Sequence, residues 1–221
     1  MAPAVDERCM SWTLLFPPTC LGCGLLLRRA APPSLPLCLH CTAEHEPLPP
    51  DATTRDEIWA MHAYGGPLLR ALHRLKFHAQ PAWAGPLGAV LACSPVLDQP
   101  WDAIVPIPLH RRRLGQRGYN QAALLARHAR RHRTRPRPPL CPGWLRRVRA
   151  TDAQHRLPAA DRPGNVRGAF AVPSTAPVAG RRILLVDDVT TTGATLIAAR
   201  DALRAAGAGP VGALALLRAL A

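Results

Sequence analysis

The segment Ile183-Leu184-Leu185-Val186-Asp187-Asp188-Val189-Thr190-Thr191-Thr192-Gly193-Ala194-Thr195 narrows the possible folds more than any other part of the chain. Four apolar residues in a row suit a central parallel strand that is buried on both faces. Two acids follow where such a strand would emerge, placed to accept hydrogen bonds from the vicinal hydroxyls of a sugar. Hydroxyl side chains and Gly193 then fall at a helix N-terminus, where backbone N–H groups and the helix dipole favour a phosphate. One short stretch is thus equipped to hold a ribose and its 5-phosphate together. Neither a GxxxxGK(S/T) loop nor a GxGxxG fingerprint occurs, which sets aside P-loop and dinucleotide-binding readings. The plain alternative, a helix-capping turn at Asp187-Asp188, leaves the run of threonines and the glycine unexplained.

The flanking residues give that segment its context. A strand is expected over Arg182–Val186, a turn over Asp187–Thr192, a helix over Gly193–Ala206 stopped by Gly207, and a strand over Val211–Leu217. This order makes a parallel βαβ crossover, so the fold class is α/β with ligands at the strand carboxyl ends. Upstream, Glu57–Tyr64 reads as a strand, and Pro67–Phe77 reads as a helix with Leu68, Leu69, Leu72 and Leu75 at helical spacing. The run Ala103–Ile107 ends in Val105-Pro106-Ile107-Pro108, which suits a strand leaving the sheet rather than a central ladder. A helix is expected from Asn120 to His132, and Thr151–Asn165, polar and aperiodic, reads as a mobile loop.

Before the α/β pattern begins, Cys20-Leu21-Gly22-Cys23 and Cys38-Leu39-His40-Cys41 form two CxxC knuckles. Two identical knuckles at this separation let four thiolates close a tetrahedron on Zn²⁺, with no open position left for substrate, so the site reads as structural. His40 and His45 are bystanders on that reading, and Cys9, Cys93 and Cys141 read as buried or incidental thiols. Proline-rich stretches at Ala31–Pro36 and Pro47–Pro50 bracket the second knuckle, and regular periodicity starts only after about Arg55. The expected division is a zinc-ribbon-like module over 1–55 and an α/β domain over 56–221. A chain of 221 residues has room for one such core and a small appendage.

A formal charge of +14 and a pI near 11.1 point to phosphorylated or polyanionic partners. The positive charge is almost all arginine, with Lys76 the only lysine, and biased composition accounts for part of it. No apolar run has the length of a membrane span, and Met1–Arg8 holds two acids with no basic run before Arg8. A cytoplasmic protein is expected.

Taken in order along the chain, Pro17-Pro18-Thr19-Cys20, Lys76-Phe77, Val105-Pro106-Ile107-Pro108-Leu109, Arg117-Gly118-Tyr119-Asn120-Gln121, Arg149, Thr151, Gln154, Arg162, Asn165, Gly168-Ala169-Phe170 and the acid-pair segment resemble the ComF competence-protein family of the type I phosphoribosyltransferases. The resemblance implies a type I phosphoribosyltransferase fold with a small N-terminal zinc module. It implies that Asp187 and Asp188, the catalytic pair, hold the ribose hydroxyls of 5-phosphoribosyl 1-diphosphate. Thr191, Thr192, Gly193, Ala194 and Thr195 would cradle the 5-phosphate, Arg117 would approach the diphosphate, Lys76 would join the site, and Thr151–Asn165 would be its lid. Mg²⁺ would accompany the diphosphate.

In such a transfer a nitrogen nucleophile displaces diphosphate from the anomeric carbon, and positioning and electrostatics supply most of the rate. No segment spells out the acceptor. The competing expectation is a non-catalytic DNA-uptake factor that keeps the donor site as a sensor and binds single-stranded DNA through Arg127, Arg130, Arg131, Arg133, Arg135 and Arg137. A solvated arginine face is the plainer account of that strip. A third expectation is a regulator whose zinc module contacts a protein partner.

Overall fold

The computed structural model describes residues 19–27, 35–49, 53–133, 137–149 and 168–219. In chain order these hold α1 (Leu39–Ala43), β1 (Thr54–Arg55), β2 (Ile58–Ala63), α2 (Gly66–Phe77), α3 (Ala84–Ala92), β3 (Ala103–Pro106), α4 (Arg111–Arg117), α5 (Gln121–His132), β4 (Arg146–Arg147), β5 (Phe170–Ala171), β6 (Ile183–Thr190), α6 (Ala194–Ala205) and β7 (Val211–Arg218). Five strands form one sheet in the order β1-β2-β7-β6-β3. The pairs β2–β7, β7–β6 and β6–β3 are parallel, and only β1 runs antiparallel to its neighbour.

Strand β6 is the centre of this arrangement because its apolar residues serve two cores. Leu184 and Val186 join one buried cluster with Leu68, Leu72 and Leu75 of α2, Leu87 and Leu91 of α3 and Leu125 of α5. Ile183 and Leu185 join the other with Leu196, Ala199 and Leu203 of α6 and Phe170 of β5. Alternate side chains of a strand point to opposite faces, so a continuous apolar run is what a strand between two helical layers requires. Among the described residues no helix is long and apolar enough to cross a membrane.

The expected elements over 57–77, 103–107, 120–132 and 182–217 are all present, with one informative difference. Asp187 and Asp188 lie within β6, which continues through Thr190, not in a turn after it. The cause is β7, which stays paired long enough to hold Asp187 opposite Ala215 and Thr190 opposite Arg218. Helices α3 and α4 carried no usable periodicity: Ala84–Ala92 is apolar nearly throughout, and Arg111–Arg117 has no apolar stripe.

At the sheet edge, Pro106 lies opposite Val186, as suits a proline confined to an outer strand. The outer side of β3 is covered in part. Ile104 N–H donates to the Pro139 carbonyl at 2.8 Å, and Cys141 N–H donates to the Ile104 carbonyl at 2.8 Å. Strands β4 and β5 form a separate antiparallel ribbon. The expected loop Thr151–Asn165 lies between them and outside the described residues, as do Cys9, Pro17-Pro18 and Arg135.

Helix α5, which begins at the carboxyl end of the sheet, is held against α3 by a close approach at Gly88. A Cβ placed there would stand 2.4 Å from His128 Cβ and 3.0 Å from the Ala129 nitrogen. Gly88→Ala is therefore expected to destabilise the protein by about 1–3 kcal/mol through overpacking. A thermal melt checks it, with each kcal/mol read as about 2–4 °C.

Candidate functional site

Asp187 and Asp188 are 8% and 4% exposed, so the site begins with two carboxyl groups that the fold has taken out of water. Burial, followed by the Asp188 charge and a hydrogen bond with Asp188, holds the Asp187 carboxyl well above the usual carboxylate range. Burial acts on Asp188 in the same direction. There, however, the charge of Lys76 and hydrogen bonds with Asp187, Lys76 and Gln121 outweigh it and bring the group below its ordinary value. Neighbouring buried carboxyls cannot both ionise without large cost, and the pair resolves this by differing. Asp188 carries the negative charge against the Lys76 ammonium, which forms an ion pair with its Oδ2. Asp187 Oδ1 accepts the Asp188 backbone N–H at 2.8 Å.

Beyond Thr190 the chain turns into α6 through Gly193, whose φ of 79° lies in the left-handed region that glycine adopts at least cost. Thr192 Oγ1 accepts the Ala194 N–H at 3.4 Å. Thr191 Oγ1 is enclosed yet meets no hydrogen-bond partner among the described residues. An enclosed hydroxyl without a partner forfeits hydrogen-bond free energy unless a ligand supplies one. It stands at the start of a helix whose first N–H groups also lack intrahelical partners.

Lys76 arrives from the last turn of α2, and Arg117 from the last turn of α4. Arg117 Nη1 donates to Gln121 Oε1 at 2.5 Å, and Gln121, only 6% exposed, bonds in turn to Asp188. Asn120 fixes this corner: its Oδ1 caps α5 by accepting the Ala122 N–H at 3.0 Å, and its Nδ2 donates to the Ile107 carbonyl at 2.9 Å. Arg147 of β4 is a further cation within electrostatic reach of Asp187, with its guanidinium over the Phe170 ring. The structure therefore gathers Lys76, Arg117, Asp187, Asp188, Thr191, Thr192, Gly193, Ala194 and Thr195 at the carboxyl end of β6. Gln121 was visible in sequence only as part of a motif, without a role. Arg147 carried no signal, since one arginine among many is not distinguished by spacing.

The second constellation is built from cysteine. The Sγ atoms of Cys20, Cys23, Cys38 and Cys41 all lie within 4.8 Å of one another. Cys23 Sγ and Cys38 Sγ are 3.7 Å apart, close to the ~3.8 Å edge of a sulfur tetrahedron around Zn²⁺ with ~2.3 Å bonds. The donor set thus fits a closed four-thiolate metal site. Cys20 Sγ accepts the Cys38 N–H at 3.2 Å. Although burial opposes it, hydrogen bonds from the Cys23, Cys38 and Gly22 backbone draw the Cys20 thiol down to about 6. His40 pairs with Glu44 at 2.8 Å and His45 rests against His62, so both stand apart from the sulfur set. Cys93 is exposed and Cys141 half-buried, so of the two expected alternatives, buried or incidental, neither of these thiols takes the first in full.

These residues are joined to the α/β core. Leu21 is fully buried in the same cluster as Leu68 and Leu72. Gly22 packs so closely on Pro67 and Cys41 that a Cβ would stand 2.6 Å from Pro67 Cβ and from Cys41 Sγ. Arg70 of α2 reaches the Gly22 carbonyl at 3.4 Å, Cys41 Sγ at 3.5 Å and Glu44 at 2.5 Å.

A family model described as phosphoribosyl transferase domain matches residues 148–221, which include β6, the acid pair and α6. Sheet, acid pair and helix N-terminus together define a type I phosphoribosyltransferase fold, carried with a four-cysteine cluster. Over 91% of its length the chain is 34% identical to the DNA utilization protein YhgH of Salmonella typhimurium and 33% identical to that of Escherichia coli K12, covering 84% of each. It is 32% identical to Competence protein F of Haemophilus influenzae over 90% of both chains. The chain belongs to the ComF competence-protein family. Among solved structures, a phosphoribosyltransferase from Corynebacterium diphtheriae is similar at a TM-score of 0.37 and 22% identity, covering 69% of this chain and 85% of that one.

The raised Asp187 titration has a thermodynamic consequence. A folded-state value above the unfolded one means that the folded protein holds the proton more tightly, so its contribution to stability is complete below about pH 3.9 and declines as pH rises. Asp187→Asn keeps the oxygen that accepts the Asp188 N–H and does not titrate. It is expected to raise the melting temperature at pH 7, with the gain shrinking towards zero below about pH 4. Paired melts across that range check it.

Proposed function

We propose that this chain is a Mg²⁺-dependent phosphoribosyltransferase-like protein that binds 5-phosphoribosyl 1-diphosphate and serves DNA uptake. The observation that carries this reading is the enclosed Thr191 hydroxyl, without a hydrogen-bond partner among the described residues, in the turn before α6 and three residues beyond Asp188, in an acid pair whose members titrate in opposite directions. In this reading the Asp188 carboxylate accepts from one ribose hydroxyl, and the Asp187 carboxyl, able both to donate and to accept, engages the other. Thr191, Thr192, Gly193, Ala194 and Thr195 enclose the 5-phosphate. Lys76 and Arg117 supply fixed positive charge towards the diphosphate as negative charge builds on it.

Mg²⁺ enters as a partner of the diphosphate, whose charge it neutralises as the group departs. The residues accord with that route. Among those described, the cysteines are the one group of three or more ligating side chains that converge, and the Asp188 charge is already matched by Lys76. The four thiolates hold Zn²⁺ structurally, and the division into a module over 1–55 and a domain over 56–221 is kept as part of the proposal. Reduced thiolates and the membership in a competence family accord with a cytoplasmic place at DNA entry.

One observation favours a second reading, single-stranded DNA binding. Arg127, Arg130 and Arg131 line an open cavity of about 510 Å³ together with Pro139 and Leu140. Among the described residues no carboxylate lines it, which suits a phosphodiester backbone. A protein of this kind would use the donor site as a ligand sensor.

The decisive measurement is calorimetric titration of 5-phosphoribosyl 1-diphosphate with Mg²⁺ into zinc-loaded protein. Saturable binding is expected, weakened about tenfold or more in a folded Asp187→Asn, Asp188→Asn variant, since the charge-assisted hydrogen bond of the Asp188 carboxylate, about 1.5–3 kcal/mol, is lost. A folded wild-type protein that binds no donor would end this reading. For the DNA reading, Arg127→Ala with Arg131→Ala is expected to lower the slope of log affinity against log salt by about 1.4, as two single-strand phosphate contacts would. An unchanged slope would remove the cavity from the DNA path.

A further inference from the structure

The cavity beside α5 has a property that a phosphodiester does not use. One of its sides is the stretch 138–141, which extends the sheet beyond β3 by a single parallel bridge, Leu140 opposite Ile104. The bonds of that bridge come from the residues on either side of Leu140. The Pro139 carbonyl accepts the Ile104 N–H, and the Cys141 N–H donates to the Ile104 carbonyl. In a parallel ladder the residue between two such groups turns its own N–H and carbonyl the other way. Leu140 therefore presents a donor and an acceptor outward, and neither meets a backbone partner among the described residues. The neighbouring backbone groups are accounted for. Pro138, Pro139 and Pro142 have no N–H, the Pro138 carbonyl accepts Arg130 Nε at 2.8 Å, and the Cys141 carbonyl accepts the Trp144 N–H at 3.2 Å. The open edge is thus confined to Leu140.

Charge comes from the opposite side. Arg127, Arg130 and Arg131 of α5 border the cavity, and none of them pairs with a carboxylate among the described residues. Their field reaches into the helix: after burial, the charges of Arg131, His132 and Arg127 hold the His128 imidazole below its ordinary value. The described lining residues include no aromatic ring, so a single strand would find cations there and no surface for its bases. Nor does a phosphodiester backbone carry an N–H for the Leu140 carbonyl. An extended peptide supplies both backbone groups, and side chains of every second residue fall on one side, towards α5. We infer that this sheet edge docks an extended acidic segment of a partner protein, which adds beside Leu140 as a strand and sets carboxylates against Arg127 and Arg131. The inference is independent of the donor-site reading and gives the cavity a different occupant from the DNA reading. The contact is short, so its partner is a transient one.

The test is a fluorescence-anisotropy titration of the full zinc-loaded chain at about 0.15 M salt, where the charges of an exposed surface are screened beyond about 8 Å. The probes are end-capped, labelled peptides of about eight residues that alternate Asp or Glu with Val, Ile or Thr. The same peptides N-methylated on every second residue, in either phase, form a second set, and an oligothymidylate forms a third arm. At least one unmodified peptide is expected to bind saturably. Its affinity should fall about tenfold or more when N-methyl groups occupy one phase and far less when they occupy the other, because only one edge of an added strand faces Leu140. It should also fall about tenfold or more in Arg127→Ala with Arg131→Ala, with folding checked by a thermal melt. The N-methyl arm uses wild-type protein and decides the matter even if that variant does not fold. Absence of peptide binding to folded wild type would overturn the inference, and so would equal affinity of the two N-methyl phases. Oligothymidylate binding that depends on Arg127 and Arg131, with no peptide bound, would overturn it in favour of DNA.

Discussion

Two adjacent carboxyl groups on a central strand set the terms for the rest of this structure. A parallel sheet covered on both faces excludes water from β6, and within it Asp187 and Asp188 cannot both carry charge. The chain's one lysine is placed against Asp188, while burial holds the Asp187 carboxyl well above the usual carboxylate range. Everything at the carboxyl end of the sheet follows this division. Helix α2 must bring its last turn over β6 to deliver Lys76, and α5 must begin where Gln121 can meet Asp188. A charged acceptor beside a neutral donor-acceptor is also the chemical asymmetry that recognition of neighbouring hydroxyls uses.

Helix α2 gives the cysteine cluster a consequence beyond its own loop. Its Arg70 and Arg74 hold the carbonyls of Gly22 and Leu21, and its Lys76 holds Asp188. Side chains of one rigid element therefore answer to two different sites. The short α1 and the CxxC turns have little apolar material of their own, and Leu21 is the residue they contribute to the main core. The four cysteines could hold a metal ion, and closure of that kind would stand in for a hydrophobic interior in a segment this small. The position of α2 thus depends on both constellations.

Legibility in the sequence followed the length of each periodic pattern. Strand β6, helix α6 and strand β7 were readable because apolar run, glycine stop and second run succeed each other without interruption. The two CxxC knuckles were readable because their spacing repeats. Helix α3 was not, since a segment apolar on all sides has no period, and neither was α4, whose arginines mark no face. The extension of β6 through Thr190 was hidden for a different reason. Acids have low strand preference, and only pairing with β7 keeps Asp187 and Asp188 in the ladder.

The amino-acid sequence by itself determined the class of the fold, the four thiolates and the list of groups at the end of β6, because each of these is a local matter of residue type and spacing. Tertiary structure alone decided which of the two acids holds its proton more tightly, which arginines among so many stand near them, and that the exposed ring of Phe77 lies beside Arg117. Those outcomes depend on what long-range packing brings within a few ångströms. Lys76 is separated from Asp188 by more than a hundred residues of chain, and no local rule relates them. Electrostatic energies between buried groups vary steeply with distance and burial, and both are properties of the folded chain.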